Sequence, residues 1–179
     1  MDMNIRGLVV SAWLMPLIAI GQTPPSLGTT ATPEISGAYY TNAIALSTSA
    51  KVYFGAGRNE TVPAGQGNMF STAYWAYDPV ANSWSSIPSG PGTDSPLGFV
   101  VNDKVYVGGG GGFTSGQLYV YDPVANTWTL SGSLNGALGQ GSRKGFSIGS
   151  KGYCIASLTA TELYDYEPVV SGESRGTGM

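Results

Sequence analysis

The chain has no histidine at all, one cysteine, and few charges in its 179 residues. Without histidine there is no Ser-His-Asp or Cys-His nucleophile pair. His-ligated zinc and copper sites are excluded for the same reason. The lone Cys154 cannot form an intramolecular disulfide. It sits in KGYCIAS, aligned with Val107 in KVYVGGG, so it is expected on a buried strand, where a free thiol behaves as a small hydrophobe. Charged residues make up 11% of the chain, against a usual quarter. The 8 Lys and Arg residues are scattered, with only Arg143 and Lys144 adjacent, and the net charge is −3. No basic patch is present, so neither nucleic acid nor an anionic membrane surface is an expected partner. Long apolar runs are also lacking. The longest, Leu8 to Ile20, is interrupted by Ser11 and Pro16 and is too short for a stable span, which needs roughly 20 apolar residues.

That run suits export better. Arg6 precedes it, and Ala19-Ile20-Gly21 places small residues where a signal peptidase cuts. Residues 1–21 are therefore expected to be a signal peptide and 22–37 a Thr/Pro-rich linker. The mature chain is then secreted, periplasmic or held at the cell surface.

What the sequence has in quantity is glycine and aromatics: 27 Gly, 11 Tyr and 4 Trp, with 42% hydrophobic residues overall. This is a turn-rich, β-rich composition and not a disordered one, which needs low hydrophobicity with high charge. The chain also writes one stretch twice. YWAYDPVANSW (Tyr74 to Trp84) returns as LYVYDPVANTW (Leu118 to Trp128), 44 residues on at every matched position, as Tyr77 to Tyr121 shows. A worn third copy, ELYDYEPVVSGE, starts at Glu162 and puts Tyr166 45 residues after Tyr121. A period of this length signals a repeat architecture.

Each copy has an upstream half: NAIALSTSAKVYFGAG from Asn42, LGFVVNDKVYVGGGGG from Leu97, and KGFSIGSKGYCIAS from Lys144. A short apolar run, a polar turn, Lys-x-Tyr and small residues read as one hairpin. The downstream half reads as a second. In Asp-Pro-Val-Ala-Asn the Asp side chain can bond the backbone two residues on. Pro presets φ, and Asn tolerates the left-handed conformation that closes the turn. Tyr and Trp then face each other across adjacent strands. The pattern predicts strands at 39–46, 51–56, 73–78 and 83–87; at 97–101, 104–108, 117–122 and 127–131; and at 145–148, 152–156 and 161–166.

Four-stranded units with small-residue doublets and this Tyr–Trp spacing resemble the kelch repeat of the galactose-oxidase-like β-propellers. The matching residues are Gly55, Gly57, Tyr77, Asp78 and Trp84 in the first unit, and Gly108, Gly109, Tyr121, Asp122 and Trp128 in the second. In the third only Tyr166 stands. The resemblance implies an all-β fold, a partial kelch-type propeller with blades at 38–90, 91–135 and 136–168 and a flexible tail at 169–179. Propellers close with about four to eight blades, so about three leave open blade faces. Three resolutions are open: a piece of a longer propeller, closure by self-association through those faces, or an open arc.

The resemblance carries no oxidase activity here, because that copper site needs histidines. Asp78 and Asp122 recur once per blade, as fold determinants do. No catalytic residue, metal ligand or cofactor site is expected. The candidate ligand loop is the long connection 58–72 of the first blade, with Arg58, Asn59, Glu60, Gln66, Asn68 and Phe70; insertions in repeats map to loops on one face. The functional expectation is an exported, non-catalytic module binding a protein or carbohydrate partner through blade loops. The alternatives are a fragment of a kelch-fold enzyme whose catalytic residues lie on other blades, and a cell-surface structural component.

Overall fold

The Lys-x-Tyr and Tyr-Asp-Pro segments become strands because β-branched and aromatic residues alternate there with small or polar ones. A computed structural model of the chain describes residues 35, 40–63, 69–112, 116–134, 144–155 and 163–168. The expected signal peptide 1–21 and the tail 169–179 lie outside the described residues, as does the linker apart from Ile35. All regular structure among the described residues is β. In chain order the strands are β1 (Tyr40–Thr41), β2 (Ile44–Ser47), β3 (Val52–Gly55), β4 (Arg58–Asn59), β5 (Tyr74–Asp78), β6 (Ser83–Ile87), β7 (Thr93–Asp94), β8 (Leu97–Val101), β9 (Lys104–Gly108), β10 (Gly111–Gly112), β11 (Gln117–Asp122), β12 (Thr127–Ser133), β13 (Lys144–Ile148), β14 (Lys151–Ile155) and β15 (Leu163–Tyr166).

They form three antiparallel blades. The first has order β2-β3-β5-β6, the second β8-β9-β11-β12, and the third, three-stranded, β13-β14-β15. The fold is thus an all-β, propeller-like succession of blades, with no closed ring among the described residues. The repeat is visible in the register. Tyr77 lies opposite Val52, Tyr121 opposite Val105, and Tyr166 opposite Gly152. The worn third signature therefore occupies the same structural position as the two intact ones.

The expected strand 39–46 is corrected. It is broken into β1 and β2 by Asn42, whose φ is 55°. Ser95, at the same place in the second blade, has φ 54° and separates β7 from β8. These kinks turn the chain into two small ribbons, β1 with β4 and β7 with β10, which the alternation pattern did not predict. The glycine doublet is corrected too. Of the pair read as Gly55 and Gly57, the second position belongs to Ala56 instead, at φ 54° where Gly109 has 63°.

The signature turn works as its residues dictate. Asp78 Oδ1 accepts the amides of Val80 (2.9 Å) and Ala81 (3.0 Å). Asp122 Oδ1 accepts those of Val124 (2.9 Å) and Ala125 (3.2 Å). Asn82 and Asn126 close the turns with φ of 47° and 53°. Each Asn side chain also accepts a 2.7 Å hydrogen bond from the signature tyrosine, Tyr77 or Tyr121. The cross-strand ring pairs Tyr77–Trp84 and Tyr121–Trp128 have centroids 5.1 and 5.2 Å apart; such pairs contribute about 0.5–1.5 kcal/mol each beyond their buried area.

Blades pack by a rule that also repeats. The signature tyrosine of one blade lies on the middle-strand tyrosine of the blade before it: Tyr121 on Tyr53 (5.5 Å) and Tyr166 on Tyr106 (5.4 Å). Two cores result. One holds Tyr53, Tyr74, Val105, Val107 and Tyr121 between the first and second blades. The other holds Leu97, Phe99, Val101, Tyr106, Leu118 and Cys154 between the second and third. Cys154 is buried as expected, and burial pushes its thiol up to about 11. It is expected not to react with a thiol reagent such as dithionitrobenzoate in the native protein and to release one equivalent on denaturation. Prompt native labelling would contradict its placement in the core.

Candidate functional site

The long connection of the first blade is built on a base of main-chain bonds. In the second blade the corresponding segment is the glycine strand β10 paired with β7; in the first, Arg58 and Asn59 take those places, opposite Thr41 and Tyr40. The chain leaves at Asn59 and returns at Met69. The Asn59 amide donates to the Met69 carbonyl (2.9 Å), Ser71 N–H to the Gly57 carbonyl (2.9 Å), and Gly57 N–H to Thr93 O (2.8 Å). Arg58 and Phe70 form a β-bridge. The base of the 58–72 segment is therefore fixed by main-chain bonds on both its outgoing and returning sides.

The structure brings Arg58, Asn59, Glu60 and Phe70 together at that base. Gln66 and Asn68 lie outside the described residues. Glu60 Oε1 accepts the Thr41 hydroxyl (2.6 Å) and stands 3.5 Å from the Arg58 guanidinium. Asn59 Oδ1 accepts both the amide (3.0 Å) and the hydroxyl (2.6 Å) of Thr61. These polar side chains are engaged in shaping the arm. The exposed groups nearer its tip are Glu60, Thr61 and Pro63.

Two clefts were not read from the sequence. The larger, about 570 Å³, opens between the turns of the first two blades, where Ser49, Lys51, Ser86, Asp103, Lys104 and Asn126 line it. The smaller, about 330 Å³, lies along the first strands of the three blades, lined among others by Asn42, Leu46, Ser95 and Lys144. It shares Asn42 with the ribbon end of the first blade, where Asn42 Nδ2 donates to Asp94 Oδ1 (3.0 Å). The one sequence signal for the larger cleft was the recurrence of a lysine before each middle strand. Which turns adjoin depends on how one blade is laid on the next, and no local pattern encodes that.

The electrostatics of the turn end are consistent from blade to blade. Lys51 pairs with Asp78 (3.5 Å), Lys104 with Asp122 (2.8 Å), and Lys151 with Glu167 (3.0 Å). The third-blade Glu167 thus does the electrostatic work of the missing Asp. The backbone amide of Ala81, then Val80 and the Lys51 ammonium, hold Asp78 below the ordinary carboxylate range. Lys104, then the Ala125 and Val124 amides, do the same for Asp122. Asp103 is held down by the Ser49 amide (2.8 Å) and hydroxyl (2.9 Å) across the blade boundary.

A group whose folded pKa is depressed adds stability above its unfolded value and loses it as pH falls through the folded value. With no histidine to titrate, the thermal midpoint is expected to be flat from about pH 5 to 8. It should then fall below the ordinary carboxylate value of 3.8 as these three carboxylates protonate. Calorimetry across that range checks it, and a midpoint that moves between pH 5 and 8 would speak against the assignment.

Among the described residues no group of three or more Cys, Asp or Glu is arranged to hold a metal ion. Among the described residues there is no helix long and apolar enough to cross a membrane. No family model matches the chain. Nor does any curated protein. Among solved structures it is similar to one titled "Structure of YjhT", with a TM-score of 0.48 and 19% identity over 69% of this chain. The match takes in 35% of that structure, so the chain spans about a third of its length.

Proposed function

We propose that this chain is an exported, non-catalytic kelch-repeat module that binds a protein or carbohydrate partner through its blade loops, chiefly the arm at 58–72. The kelch reading is supported by the four-stranded blades, the glycines at the ends of β3 and β9, and the tilted Tyr–Trp ring pairs of the first two blades. The observation that carries the binding role is the asymmetry of the ribbons. In the second blade only Phe113 to Gly116 separate the same base from β11, whereas in the first it carries the longer 60–68 arm and is itself tied down by three main-chain bonds. A rigid scaffold presenting one enlarged loop is how binding surfaces are set on repeat folds.

The arm can be excised with the main-chain bonds of its base kept. Asn59 and Met69 are already bonded as the rungs of a hairpin, so residues 60–68 can be replaced by an Asn-Gly link suited to a two-residue turn. On glycan and protein arrays the full chain is expected to bind a definable set of ligands. The excised variant is expected to bind them at least about tenfold more weakly, a loss of about 1.4 kcal/mol, with its thermal midpoint unchanged. Undiminished binding by the excised chain rules out the arm as the site, and an array on which the full chain binds nothing rules out the role.

A further inference from the structure

We infer that a second copy of this chain docks head-to-tail, the first blade of one copy covering the third blade of the other. The repeat itself shows what belongs on the uncovered face. In the second blade Phe99, Val101 and Leu118 are 1–2% exposed because the third blade lies over them. Their register counterparts in the third blade are Phe146, Ile148 and Leu163, which are 37%, 63% and 56% exposed. The apolar alternation along β13 and β15 repeats that of β8 and β11 except at Lys144, which stands where the second blade has Leu97, and among the described residues no further blade covers it. Phe146 still stacks on Tyr153, centroids 5.5 Å apart and planes 15° apart, as Phe99 does on Tyr106.

Within the chain such a face is covered by the opposite face of the next blade. The second blade lays Val107, Tyr121 and Trp128 on the first. The counterparts in the first blade itself are Phe54, Tyr77 and Trp84. Together with Tyr40 and Trp75 they form a half-buried aromatic cluster, with Phe54 6.3 Å from Tyr40, 6.2 Å from Trp75 and 6.3 Å from Trp84. Continuing the interface already formed twice in the chain sets this cluster against Phe146, Ile148 and Leu163. Of the charges on the receiving face, Asp165 is already paired with Lys151 (3.4 Å), and Lys144 stands at the start of β13, where it lines the smaller cleft. The contact is heterologous, the same two unlike faces meeting each time. The three described blades of two copies make six, within the about four to eight that propellers use.

Light scattering and sedimentation velocity on the full chain test this. The expected mass is twice that of the chain at about 100 µM, falling towards a single chain on dilution to about 1 µM. Ile148→Lys with Leu163→Asp alters one face and Ala45→Glu with Trp75→Glu the other. Each pair is expected to give a monomer with the thermal midpoint of a diluted wild-type sample. Mixing the two variants is expected to restore a dimer, because one intact face remains on each partner. A wild-type monomer at 100 µM, whatever the state of the variants, overturns the proposal. So does a dimer broken by only one of the two pairs, which marks a like-face contact.

Discussion

Replacing Phe99 by alanine is expected to cost about 3–5 kcal/mol, the usual loss for a buried aromatic truncated in a core that cannot collapse onto the gap. The side chain is 1% exposed. It stacks on Tyr106 at 5.1 Å and 15°, and meets Tyr166 of the third blade at 5.7 Å. Gly152 leaves room for it, since a Cβ there would run into the Phe99 ring. Strand pairing holds the walls of this site. Tyr106 is fixed opposite Val120 and Phe99, and Gly152 opposite Tyr166. The vacated space therefore stays open, and the cavity adds to the lost transfer energy. Urea unfolding of F99A beside Leu130→Ala gives the comparison. Leu130 lies on the outer strand and is 56% exposed, so its loss should stay under about 1 kcal/mol. Equal losses would mean that the blade boundary is not where stability is concentrated.

How much of this was legible in sequence follows the range of the interactions. The turn Asp78 to Asn82 and its copy are local. Asp, Pro and Asn each carry their conformational instruction within five residues, so the hairpin, its register and the Tyr–Trp pairing could be read directly. The burial of Cys154 could be read because its counterpart Val107 belongs to a better-preserved copy. Gly108 and Gly109 announced a crowded, left-handed stretch. What escaped was the same conformation written in other letters. Asn42, Ser95 and Ala56 all adopt positive φ, and nothing about an alanine advertises that; about 1–2 kcal/mol of strain is repaid by burying its methyl group and holding the ribbon end. The ribbons followed from those kinks and so escaped as well. The candidate arm was found from its length alone. Its base, where Glu60 and Asn59 turn inward onto Thr41 and Thr61, could not be found that way, because Thr41 is supplied from another strand. The clefts depend on blade-to-blade placement, which is set by long-range packing.

The glycines supply the other large effect, and they tie the fold to the arm. Gly108→Ala is expected to cost about 3 kcal/mol, at the upper end of overpacking losses. A Cβ at Gly108 would be driven against the Gln117 carbonyl oxygen and would stand 2.9 Å from Leu118 Cα. Both obstacles are backbone of β11, held in the sheet by its pairing with β9 and β12. Neither can swing aside as a side-chain tip could, so the added methyl must separate two strands or tilt the blade. Gly116→Ala is the control. Nothing stands within 4 Å of a Cβ there and its φ is not positive, so its effect should stay within about 0.5 kcal/mol. The same reasoning reaches the first blade, where a Cβ on Gly55 would enter the Tyr74 ring and approach the Ala73 carbonyl to 2.8 Å. Gly55 is the last residue before the segment that carries the arm. Gly55→Ala should therefore destabilise the blade and loosen the arm's base together. Hydrogen exchange separates this from a purely local strain: the Gly57 and Ser71 amides, which tie the base to Thr93 and to itself, should lose protection along with β3. If those two amides keep wild-type protection while β3 opens, the base is held independently of the blade.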